Sequence, residues 1–153
     1  MKLFITVFAA ILVAAAPCRA QDTDPVVAFR SVVSALPKRG VFASDKSKSY
    51  DISDVAFDVK RTNSLVNPTV GLIAFTITFE VPGYDHRHPY PYSTRNRLEF
   101  AWINNRWVFT HIRDDETGKD FTNLGGGSDI LDADPMRAFL APYLQPQAKG
   151  GAQ

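Results

Sequence analysis

Between Val70 and Val81 the chain reads VGLIAFTITFEV, with Ile73, Phe75, Ile77, Phe79 and Val81 at every second position and Ala74, Thr76, Thr78 and Glu80 between them. Successive side chains of a strand point to opposite faces, so this alternation predicts a strand with one buried face. The segment YDISDVAFDVKR has the same period: Val55, Phe57 and Val59 are expected inward, Asp54, Asp58 and Lys60 outward. RLEFAWINNRWVFTHIR predicts a hairpin turning at Asn104-Asn105, since asparagine tolerates the positive φ of tight turns. Its inner face takes Leu98, Phe100 and Trp102 from one strand and Trp107 and Phe109 from the next.

Two segments carry helical spacing instead. In TDPVVAFRSVVSALPKRG, Val26, Phe29, Val33 and Leu36, with Val32 beside them, form one stripe. Asp24 is placed to cap that helix, Pro25 suits its first position, and Pro37 and Gly40 end it. In DADPMRAFLAPYLQP, Met136, Phe139, Leu140 and Tyr143 share a face, Asp134 is placed as the cap, and Pro142 stops or bends the helix. Residues 43–49 and the TNSLVNP stretch are turn chemistry, and GGGS is a joint. Strands joined in order by short connections favour antiparallel pairing. The expected class is α+β: an N-terminal helix packed on an antiparallel sheet of about four strands, then a short C-terminal helix.

That order, with NNRWVFTHIR at its end, resembles cystatin-like and nuclear-transport-factor-like rolls. YDISDVAFDVKRTNSLVNPTVGLIAFTITFE also resembles a module of secreted bacterial proteins in which a strand runs into Lys/Arg-Thr-Asp/Asn-Ser-Leu-Val-x-Pro and a second strand. The resemblance spans about residues 50–113. It implies a fold and no particular activity, since such rolls host enzymes, inhibitors and dimerisation domains alike.

The first twenty residues change the chemical picture. Lys2, an apolar run from Leu3 to Ala16, and small residues up to Ala20 have the order of a secretory signal peptide, with cleavage expected after Ala20. Pro17 and Arg19 close the apolar run before it is long enough to span a bilayer. The expected organisation is a signal over 1–20, one α+β domain over 21–146 and a loose tail over 147–153, in a secreted or periplasmic protein. Cleavage would remove Cys18, the single cysteine, leaving no thiol for a disulfide, a metal or nucleophilic catalysis. It would also remove Lys2 and Arg19, leaving 15 cations against 16 anions. That balance gives no electrostatic reason to expect nucleic acid as a partner.

Candidate chemistry gathers in PGYDHRHPYPYSTRNR, Pro82 to Arg97. Tyr84, Arg87, Tyr90, Tyr92, Arg95 and Arg97 are the residue types that dominate binding hot spots, and three prolines lower the entropy lost on docking. A protein or glycan partner is the expectation, with a homodimer through a free strand edge beside it. His86 and His88, two apart on an extended segment, point to one side and suit a zinc or copper ion if further ligands join them. His111 falls in phase with Trp107 and Phe109, so alternation places it toward the space between helix and sheet. There it would be the titrating group of a carrier or enzyme. No cofactor motif or catalytic signature is present, and the acid-rich runs 114–120 and 129–134 miss the alternating calcium-loop pattern. The primary reading is an exported binding or assembly module. The alternative is a small-ligand carrier or enzyme using the helix–sheet cavity.

Overall fold

Five antiparallel strands pair in chain order, each next to its sequence neighbour. They are β1 (Arg39–Val41), β2 (Ser49–Arg61), β3 (Thr69–Val81), β4 (Tyr90–Ile103) and β5 (Arg106–Asp114). Helix α1 (Pro25–Ser34) precedes them, and α2 (Ser128–Leu131), α3 (Met136–Leu140) and a 3₁₀ turn (Ala141–Tyr143) follow. The computed structural model describes residues 24–66, 68–83, 88–121 and 128–145. The class is α+β with a sheet of five strands rather than four. The added β1 is only three residues of Arg-Gly-Val. No helix among the described residues is long and apolar enough to cross a membrane.

Helix α1 forms as its end signals predict: Asp24 Oδ1 accepts the Val26 N–H at 2.8 Å and Pro25 opens the first turn. Its buried residues are Phe29 and Val32, with Leu36 just beyond, while Val26 is exposed at the helix start. The Phe29 ring meets Trp107 at 4.6 Å, Phe100 at 5.6 Å and Phe57 at 6.3 Å between centroids. Trp107 Nε1 also donates to the Pro25 carbonyl at 3.1 Å, fixing the start of the helix to β5.

The core lies between α1, α3 and one sheet face. Ile73, Phe75, Leu98, Phe100, Ile112 and Met136 have no solvent exposure, and Ile77 almost none. Burial of each such side chain contributes about 1.5–3 kcal/mol, so a core of this size can hold the fold without a disulfide. Tyr143 closes one end with its ring 5.7 Å from both Phe100 and Phe139. The cap of α3 differs from expectation: Pro135 occupies the N-cap position with no side-chain hydrogen bond, and Asp134 instead accepts the Val41 N–H on its carbonyl.

Two irregularities reset which residues face the core. In β2 the register against β3 shifts between Ser53 and Ala56, and Asp54 takes φ 50°. The shift puts Tyr50 and Ile52 inward before it and Phe57 and Val59 inward after it, so Val55 is left exposed at the bulge. In β5 the register shifts between Glu99 and Phe100, leaving Thr110 as the extra residue. The hairpin between β4 and β5 turns at Asn104 and Asn105, both at positive φ.

Candidate binding surfaces

The described part of the stretch from Pro82 to Arg97, residues 82–83 and 88–97, does not form one surface. Strand β4 begins at Tyr90, so its second half is sheet. Tyr90 opposes Val81 and Tyr92 opposes Phe79 on the inner face, with Tyr92 and Phe79 rings 5.5 Å apart. Arg95 and Arg97 alternate to the outer face, opposite Thr76 and Ala74. Tyr84, His86 and Arg87 lie outside the described residues. His88 is exposed next to Pro89. Among the described residues no three histidine, cysteine or carboxylate side chains come together as a metal would require.

On the outer face the arginines are held by acids. Arg95 Nε meets Asp115 Oδ2 at 2.8 Å, and Arg97 lies 3.1 Å from Glu99 and 3.5 Å from Asp115. Arg113 Nε meets the other Glu99 oxygen at 3.1 Å and reaches Asp120 at 3.7 Å. Their cross-strand positions, Arg97 opposite Arg113 and Glu99 opposite His111, make a ladder of alternating charge. The charges neutralise one another, so this ladder is a structural network rather than a basic docking patch.

His111 belongs to that ladder and not to the helix–sheet space. The Thr110 bulge, pinned by its hydroxyl donating to the Glu99 carbonyl at 2.9 Å, turns His111 to the outer face and Ile112 to the core. His111 Nε2 lies 3.6 Å from Asp120. Simple alternation placed it inward because one inserted residue reverses every later side chain on the strand.

A hollow remains on the inner face, at the end of the sheet beyond α1. It encloses about 330 Å³ and is walled by Phe42, Phe79, Tyr92, Phe121 and Ile130, with Thr94, Asn96 and Asp114 as its polar members. Phe42 and Phe79 meet edge to face at 5.2 Å. Asn96 is the buried polar residue of β4; its amide donates to Thr94 Oγ1 at 3.0 Å and to the Thr94 carbonyl at 3.3 Å. The Asp114 carboxylate caps its own turn, accepting from Thr117 N at 2.7 Å, Thr117 Oγ1 at 2.9 Å and Glu116 N at 3.0 Å. Those bonds, the Thr117 backbone bond foremost, hold its carboxyl below the usual carboxylate range. A larger groove of about 690 Å³ runs along polar edge residues such as Arg39, Lys48 and Asp51 to Pro82, Gly83 and Pro89. Those last three flank residues 84–87, which lie outside the described residues, and its walls are less apolar.

Short connections hold the hollow open. The one-turn α2 places Asp129 so that its carboxylate accepts from Ser44 N at 2.6 Å and Ser44 Oγ at 2.8 Å, while its carbonyl accepts from Ala43 N at 3.0 Å. This ties the loop carrying Phe42 to the element carrying Ile130. Sequence reading missed most of these residues, since Phe42, Phe121 and Ile130 sit in short or irregular segments. Asn96 was findable: counting back by twos from Leu98 puts a lone amide at an inward position.

Comparison with known proteins adds no relative: no protein-family model matches the chain, and neither a curated protein nor a solved structure does.

Proposed function

We propose that the chain is an exported binding module of cystatin-like or nuclear-transport-factor-like roll type, which holds an apolar or aromatic group of a protein or glycan partner in the inner-face hollow. The observation that supports this reading is the contrast between a filled helix–sheet core and an open, aromatic-walled end. Phe75 and Phe100 leave no room beneath α1, whereas Phe42, Phe79, Tyr92 and Phe121 surround unfilled space. Aromatic walls with a few fixed polar groups are what a small recognition site needs. The polar groups present are committed to local bonds, Asn96 to Thr94 and Asp114 to its turn, which favours recognition over proton transfer.

A small-ligand carrier is the second reading, favoured by the hollow's size, at the lower end of the ~300–1,000 Å³ range for ligand sites. Both readings predict that an apolar fluorescent dye such as anilinonaphthalene sulfonate binds the folded protein. Loss of one aromatic wall in Tyr92→Ala or Phe121→Ala should weaken it about tenfold, the scale of one lost ring contact. Equal dye binding by all three proteins would sink both. Aromatic dipeptides that compete with the dye would favour a protein partner, and monosaccharides that compete would favour a glycan.

A further inference from the structure

Strand β2 has an edge that β1 covers only in part. β1 covers β2 only at Ser49, Tyr50 and Asp51. Among the described residues no strand lies beside the remaining run from Val55 to Arg61. Which residues present their backbone groups there follows from the bonds already made. Ile52 donates away from β3, to the Lys38 carbonyl, so before the bulge the even residues point to that side. After the bulge Thr62 donates toward the β3 side, to Pro68, so the even residues now point inward to the sheet. Phe57, Val59 and Arg61 therefore hold their N–H and C=O groups toward the open edge.

A two-fold antiparallel pairing joins residues whose numbers have a constant sum, and its axis can pass through an outward residue or through the residue between two outward ones. Centring on Asp58 or Lys60 sets that charge against its own copy. Centred on Val59, the pairing sets Phe57 against the partner's Arg61 and Asp58 against the partner's Lys60, each twice by symmetry. Opposite charges then face each other on the outer face, and a guanidinium meets an aromatic ring on the inner face. Centring on Phe57 sets Asp58 against Ala56 and sends Lys60 to Asp54, whose positive φ breaks the strand. Centring on Arg61 runs into the turn. Asp58, Lys60 and Arg61 make no salt bridge among the described residues, so their charges are available. Large apolar residues also collect along this side: Val55, Phe57, Leu65 and Val66 are all exposed on β2 or its turn into β3.

We infer that the protein forms a symmetric dimer through β2, centred on Val59, with Asp58–Lys60 pairs across the two-fold axis. The inference rests on the binding-and-assembly reading but not on the hollow, which lies at the other end of the inner face. The test is sedimentation equilibrium of the full chain, expressed with its leader so that the cell processes it, up to about 100 μM, a range suited to an edge contact of modest area. The expected result is a doubling of mass with concentration, loss of that doubling in Asp58→Lys, and its return in Asp58→Lys/Lys60→Asp. Amide exchange at Phe57, Val59 and Arg61 should slow in step with dimerisation. A wild type that stays monomeric overturns the inference, as does a dimer indifferent to Asp58→Lys or one that the double exchange fails to restore. Dye binding measured on the same samples separates the readings: a monomer that still fills its hollow removes the dimer alone.

Discussion

Gly71 of β3 lies directly beneath the Phe29 ring of α1, so close that a methyl group built on it would overlap Cε2, Cζ and Cδ2 of that ring. The glycine sits in a strand interior, where it weakens pairing and offers nothing to pack. Its presence is explained by the ring, which uses the space to reach Phe57, Phe100 and Trp107 together. Gly71→Ala should therefore destabilise the protein by about 1–3 kcal/mol through overpacking, although alanine is the better strand residue. Urea midpoints will check it, and a neutral result would mean that α1 shifts freely on the sheet.

Gly40 and Tyr50 repeat the arrangement at the β1 edge, where the tyrosine ring lies on the glycine. Here the buried phenol oxygen has no hydrogen-bond partner among the described residues. Burial, and secondarily the Asp129 charge, push the Tyr50 hydroxyl up to about 12. The folded state thus keeps this proton longer than the unfolded chain, whose tyrosine titrates near 10. Stability from this group is complete below pH 10 and is lost as pH rises toward 12. Tyr50→Phe should remove that part of the alkaline loss. At neutral pH it should be neutral to stabilising by about 1 kcal/mol, because an unpaired buried hydroxyl disappears. Thermal melts of both proteins from pH 7 to 11 decide the matter.

Glu99 bridges Arg97 and Arg113 with its two oxygens, at 3.1 Å each. Glu99→Gln keeps the shape and deletes the charge between two guanidinium groups. A loss of about 1–2 kcal/mol is expected for this partly buried network, well short of a fully buried pair. The loss should shrink at high salt, where screening weakens the wild-type pairs as well. Stability unaffected by the substitution at low salt would show that the ladder contributes only alignment.

The signal expected over residues 1–20 carries one further prediction. If residues 1–20 act as the secretory signal that their sequence suggests, protein recovered after export should begin at Gln21 and, with Cys18 removed, carry no free thiol. Intact mass and a thiol titration test both halves of the statement. A retained Cys18 would return a reactive group to a chain whose other residues include none of that kind.

The parts of the fold that were legible in the sequence are those whose signals are local. Asp24 and Pro25 mark the start of α1, Asn104-Asn105 mark the hairpin, and the alternation of Ile73, Phe75 and Ile77 marks the buried face of β3. Strand β1 was hidden because three residues carry no period, and its glycine is there for the Tyr50 ring. The two bulges were hidden because an inserted residue looks like any other in a pattern of period two. Yet they decide the faces of Val55 and His111. The hollow was least visible, since Phe42, Phe79, Tyr92, Phe121 and Ile130 come from five separate places in the chain.

By itself, then, the sequence determined α1, the four long strands, the antiparallel class and part of the core, because helix caps, turn preferences and burial periods act over a few residues. Only the tertiary structure decided which groups meet. It moved His111 from an expected cavity to the outer ladder and parted Tyr92 from Arg95 across the sheet. Among the described residues it also left the β2 edge uncovered beyond Ile52 and one aromatic hollow open. Such outcomes depend on register and on packing between distant segments, where one inserted residue or one ring over a glycine changes the neighbour of everything that follows.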